Sequence, residues 1–98
     1  MTKKKTKVNA NDAHWKIGKN YFIRTVTHHL VGKLVGVAPM ELVLKDAAWV
    51  ADDGRFSECL ANGTVSECEP FPDGEVVVGR GSLVDAVQWK GGLLRVVK

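Results

Sequence analysis

Along this chain, short stretches that alternate apolar and polar residues are separated by breaks carrying glycine and proline. That pattern predicts strands. In YFIRTV, Tyr21, Ile23 and Thr25 alternate with Phe22, Arg24 and Val26, and β-branched and aromatic residues dominate, which is the period and composition of a strand. Residues 30–37 and 41–50 predict a second and a third strand, joined across Pro39. Residues 75–78 and 82–89 predict a fourth and a fifth, on either side of a Gly79-Arg80-Gly81 corner. The LLRVV stretch near the end is a candidate last strand at a sheet edge.

Between the third and fourth strands lies an insert, residues 51–74. It contains two of the three prolines and the turn signals Asp53-Gly54, Asn62-Gly63 and Asp73-Gly74, with room for one helical turn from Arg55 to Leu60. A connection this long in so small a domain is usually functional or mobile. Residues 1–12 are polar and lysine-rich and read as a flexible arm before a domain spanning residues 13–98.

Glycine weakens a strand, yet Gly32 and Gly36 both fall inside the second one. A small barrel must curve its strands sharply, and a missing Cβ lets the backbone bend inward without a clash. The expected fold is therefore all-β: five or six short strands in a small, strongly bent barrel or sandwich.

Composition narrows the function. The chain of 98 residues is 45% hydrophobic and 26% charged, the profile of one ordinary globular domain. Its core must be modest, so self-association would add stability. No apolar run is long enough to cross a bilayer, and MTKKKTKVNAND lacks the apolar core of a secretory signal. The expected location is intracellular, in the cytoplasm.

Cys59 and Cys68 are too few for a disulfide scaffold and lack the paired spacing of a zinc site. They are expected to stay reduced, with one stapled loop as the alternative. No cofactor or metal is expected.

The net charge of +3 is unevenly spread. Lys3, Lys4, Lys5 and Lys7 supply four positive charges in the arm. Asp52, Asp53, Glu58, Glu67, Glu69, Asp73 and Glu75 are set against Arg55 alone. A uniformly basic surface is thereby excluded; the pattern is a basic arm and a mildly basic barrel with one acidic excursion.

Catalytic patterns are missing. Ser57, Ser66 and Ser82 sit in no G-x-S-x-G elbow, and His14, His28 and His29 form no H-E-x-x-H. Adjacent strand residues face opposite sides, so His28 and His29 are not expected to share a site. Asp52-Asp53 reads as a turn before Gly54. The chain is therefore not expected to be an enzyme. Trp15, Trp49 and Trp89 each fall near an element end, where a large ring seals a core or an interface.

GKNYFIRTV, VGKLVGV and MELVLKDA together resemble the first motif of the Sm/LSm family, G-x-L-x-G-(apolar)-D-x-x-M-N-(apolar)-(apolar)-L-x-D-A. VVVGRGSLV resembles the second, (apolar)-(apolar)-x-R-G-x-x-(apolar). The two matches cover Gly18 to Ala47 and Val76 to Val87, more than 40 of the 98 residues, and the insert falls where the family has its variable loop. In its small size and acidic turns the chain is also similar to Sm-like proteins of phage origin.

The resemblance implies a strongly bent five-stranded barrel that assembles edge-to-edge into a homo-oligomeric ring and binds single-stranded RNA at its inner face. Residue by residue, Arg80 and Gly81 occupy second-motif positions and Met40 a first-motif position. Glu41 stands where the family has its base-reading asparagine, and the loop from Val37 to Met40 is one residue short. An ionised carboxylate accepts hydrogen bonds but cannot donate them, as an amide does.

The expected nucleic-acid contacts are thus Arg80, Gly81, Met40, Glu41 and the arm lysines Lys3, Lys4 and Lys5. Pairing of Glu41 with Arg80 would instead close the site. The alternative reading is an Sm-like oligomeric module for a protein partner or a small nucleotide, such as a phage accessory factor.

Overall fold

The computed structural model describes residues 14–73 and 75–98. The arm lysines Lys3, Lys4 and Lys5 lie outside the described residues. The chain runs β1 (Asn20–Thr25), β2 (His29–Val37), β3 (Glu41–Asp52), α1 (Phe56–Asn62), β4 (Glu67–Pro70), β5 (Val76–Gly79), a 3-10 turn at Arg80–Ser82, and β6 (Leu83–Gln88). All strand pairs are antiparallel, in the order β4-β3-β2-β1-β6, and β5 pairs with β3. Among the described residues the fold is all-β with one short α-helix, and the sheet is not closed between β5 and β6.

β3 holds the sheet together because it serves two neighbours on one side. Its first part, Glu41 to Leu44, pairs with β5; its last part, Ala48 to Asp52, pairs with β4. The strand bends between them. Asp46 takes φ of 52°, in the left-handed region that Asp tolerates better than most residues. The β2–β3 register slips there, between Val31 and Lys33.

Gly32 faces the slip. A Cβ on it would lie 3.0 Å from the Cβ of Ala47 and 3.1 Å from that of Leu44, so a side chain would push the two strands apart. Gly36 lies at the second slip, where a Cβ would meet the Val43 side chain at 3.2 Å. The expectation that these glycines mark bend points is met at both.

Two clusters form, one on each face of the sheet. Tyr21, Ile23, Leu30, Leu34, Leu42, Leu44, Ala47 and Val78 make the inner cluster. Phe22, Val31, Val50, Cys59, Val65, Cys68 and Trp89 make the outer one, with Leu60, Leu93 and Leu94 packed against it. Because both faces of β1 are covered, Tyr21, Phe22 and Ile23 are all buried, and the simple alternation expected of YFIRTV breaks down.

The helical turn expected in the 51–74 insert is present as α1, and the insert adds a strand that was not expected, β4; together they roof the outer cluster. One expectation needs correction. LLRVV is not a strand. Its leucines pack on the outer cluster, and beyond it Lys98 exchanges backbone hydrogen bonds with Cys68 of β4, at 3.0 and 3.1 Å. The apolar pattern was real, but the chain spends it on covering helix and sheet rather than on a ladder. Insert and tail also touch directly: a Cβ on Gly63, the C-cap of α1 at φ of 69°, would run into the backbone of Gly91, and the reverse.

Candidate nucleic-acid interface at the Arg80 turn

The turn between β2 and β3 is closed by a hydrogen bond from the Ala38 amide to the Glu41 carbonyl, 2.9 Å. Opposite it, β5 ends with Gly79 paired to Glu41. The next residue fastens the two segments. The Arg80 amide donates to the Met40 carbonyl at 2.9 Å, and its guanidinium donates to the Ala38 carbonyl at 2.7 Å. Ser82 Oγ donates to the Gly79 carbonyl at 2.8 Å and sets the 3-10 turn.

The structure therefore brings together Met40, Glu41, Arg80 and Gly81, which are about forty residues apart in sequence. Met40 is 78% exposed, a long apolar side chain standing in solvent beside the turn.

The corner glycines have a different explanation from those of β2. A Cβ on Gly79 or Gly81 would meet nothing within 4 Å, and neither residue takes a positive φ. The corner does not need glycine for its own geometry. What the missing side chains leave is open space against the backbone beside Arg80.

The acids of the insert are held away from this turn. α1 and β4 attach to the far end of β3, beyond Asp46, whereas the Arg80 turn sits at its start. One of these acids, Asp53, is also occupied, its Oδ1 bonding His29 Nδ1 at 2.9 Å; outside the insert, Asp46 pairs with Arg95 at 3.0 Å and Asp85 Oδ1 accepts from Arg24 Nε at 2.8 Å. The Arg24 hydrogen bond holds the Asp85 carboxyl below its ordinary pKa. Arg24 also lies over the Phe56 ring, 4.9 Å from its centroid, so it ties β1 to both β6 and α1. No local pattern signalled this tie, because Arg24 and Asp85 are separated by 61 positions.

The remaining candidates fall elsewhere. His28 Nδ1 bonds Thr27 Oγ1 at 2.8 Å while His29 turns to Asp53, so the two histidines do not converge. Trp89 is buried, stacks on Phe22 at 5.7 Å and donates from Nε1 to the Gly92 carbonyl at 2.9 Å. Trp15 packs on Tyr21. Trp49 is outside the core, 40% exposed beside a shallow cleft shared with Thr27, His28 and Phe71.

A second cleft of about 270 Å³ opens between β5 and the β1–β2 turn. Its hydroxyls are already used: Thr25 Oγ1 bonds the His28 carbonyl and Ser82 Oγ the Gly79 carbonyl. Cys59 and Cys68 are free and buried, and burial raises both thiol pKa values. Among the described residues, no three His, Cys, Asp or Glu side chains are grouped to hold a metal ion, and no helix is long and apolar enough to cross a membrane.

Comparison with family models, curated proteins and solved structures returned no match. The resemblance to the Sm/LSm family rests on the quoted residues alone.

Proposed function

We propose that the chain is a non-catalytic Sm-like module that assembles edge-to-edge into a homo-oligomeric ring and binds single-stranded RNA at the Arg80 turn. The observation that carries this reading is the double hydrogen bond from Arg80 to Met40 and Ala38. It sets the Arg-Gly of the second motif against the loop of the first. In that position the guanidinium can stack on a base and neutralise a phosphate, and exposed Met40 offers an apolar surface next to it.

The sheet supports the assembly half of the reading. Among the described residues β5 pairs only with β3 and β6 only with β1, which leaves an outer edge on each. Val77 on β5 and Val84 on β6 are exposed, and an apolar, unpaired edge invites a second strand. Joining the β5 edge of one copy to the β6 edge of the next is a head-to-tail contact, which closes as a ring when the rotation permits.

Two measurements test the proposal. Light scattering should show an oligomer, and a monomer at every concentration would refute the ring. Arg80→Ala should weaken binding of a labelled oligouridylate by about tenfold, the loss of one stacked base contact. If the wild-type chain binds no oligonucleotide at low salt, the RNA reading fails and the module serves a protein or small-nucleotide partner.

A further inference from the structure

The outer face of the sheet is covered over only part of its length. α1 and the tail roof Phe22, Val31 and Val50, and the cover stops there. In the next row, Lys33 of β2 stands directly opposite Lys45 of β3. Both point outward, since Leu34 and Leu44, their strand neighbours, belong to the inner cluster.

Like charges facing each other across a ladder repel. Among the described residues, neither lysine is in an ion pair. Asn20, paired with Lys33 on its other side, extends the row with an amide. Beyond the row the face is bare and aliphatic: Val43 pairs with Val77, and Val35 and Val77 are exposed. Glu75, one residue ahead of β5 and exposed, borders the strip on one side.

Two like charges placed against one another, with Glu75 following in register across from Lys45 alone, break a local rule of sheet design. Such breaks collect where a partner supplies the compensation. We propose that this strip is a second nucleic-acid contact, in which Lys33 and Lys45 each meet a backbone phosphate of a single strand and Val35, Val43 and Val77 carry its sugar edges. Charge complementarity selects the partner: a chain of phosphodiesters brings successive anions to adjacent cations. The strip lies on the sheet face rather than in the Arg80 turn, and it stands or falls independently of the base site proposed there.

The test is fluorescence anisotropy of a labelled oligouridylate over a salt titration, with the full chain. The double variant Lys33→Gln/Lys45→Gln should bind about tenfold more weakly at low salt. Its plot of log affinity against log salt should be shallower by about 1.4, the loss of two single-strand phosphate contacts. Lys33→Glu should weaken binding further while its melting temperature stays level or rises, because it replaces the repulsion from Lys45 with an attraction and has only the neutral Asn20 on its other side.

Arg80→Ala should leave the slope change in place. Wild-type affinity and slope in the double variant overturn the strip, and if Arg80→Ala alone abolishes binding the turn survives without it. Loss in the double variant with none in Arg80→Ala supports the strip and rejects the turn. Binding of wild type to phosphatidylserine vesicles but not to oligouridylate also overturns the proposal.

Discussion

The two faces of the sheet are covered by different means. The inner cluster draws its fully buried members from β1, β2, β3 and β5, elements that pair with one another. The outer cluster needs material from outside the sheet: Cys59 from α1, Val65 from the loop after it, and Leu93 and Leu94 from the tail. The strands therefore supply every buried member of the inner cluster, with Trp15 and Phe71 packed at its margin, while the outer side is sealed only where insert and tail reach. What they leave uncovered is a strip of two lysines and three valines.

The largest effects should separate the two clusters. Leu34, fully buried in the inner cluster, should cost about 3 kcal/mol on replacement by Ala and lower the denaturation midpoint for every probe together. Trp89→Ala in the outer cluster should cost a similar ~3 kcal/mol. Here hydrogen exchange should show the α1 and β4 amides losing protection first while β1–β3 keep theirs. If both variants lose protection uniformly, the clusters are one unit and the distinction fails.

Gly32→Ala tests the bend that the two faces share. Its Cβ would press on Ala47 and Leu44, at an expected cost of about 1–3 kcal/mol in chemical denaturation. Gly81→Ala, with open space at its Cβ, should change stability by less than about 0.5 kcal/mol. Equal effects at both positions would show that close approach is not what Gly32 provides.

The thiols report on the outer cover. Buried and raised in pKa, Cys59 and Cys68 should react with a disulfide reagent many-fold more slowly in the native chain than in denaturant. Trp89→Ala should speed them, and Leu34→Ala should do so only through global unfolding.

The smallest effect is at Asp85, an exposed partner of Arg24. Its carboxyl pKa is lowered in the fold, so its contribution is complete above the unfolded value of about 3.9. It is lost as pH falls through the lower native value. Asp85→Asn should therefore flatten the acid limb of the stability curve and leave neutral-pH stability within about 1 kcal/mol of wild type.

The strands were legible because alternation and β-branched composition are local signals, and the Gly32 and Gly36 slips could be anticipated from glycine placed against its propensity. The outer cover was not. A seven-residue helix with one buried residue carries little periodicity, and LLRVV has the composition of a strand whether it pairs or packs. The clustering of Met40, Glu41, Arg80 and Gly81 was readable only through resemblance to a family. The Lys33–Lys45 row was unreadable, because a strand sequence does not state its register, and the slip at Asp46 shifts it.

The close approach of Gly63 to Gly91 bears on how such a chain can vary. Neither position tolerates a side chain while the other holds its place, so substitutions there are conditional on each other. Among descendants of this sequence, the helix end and the tail should drift as a linked pair, lengthening, shortening or disappearing together.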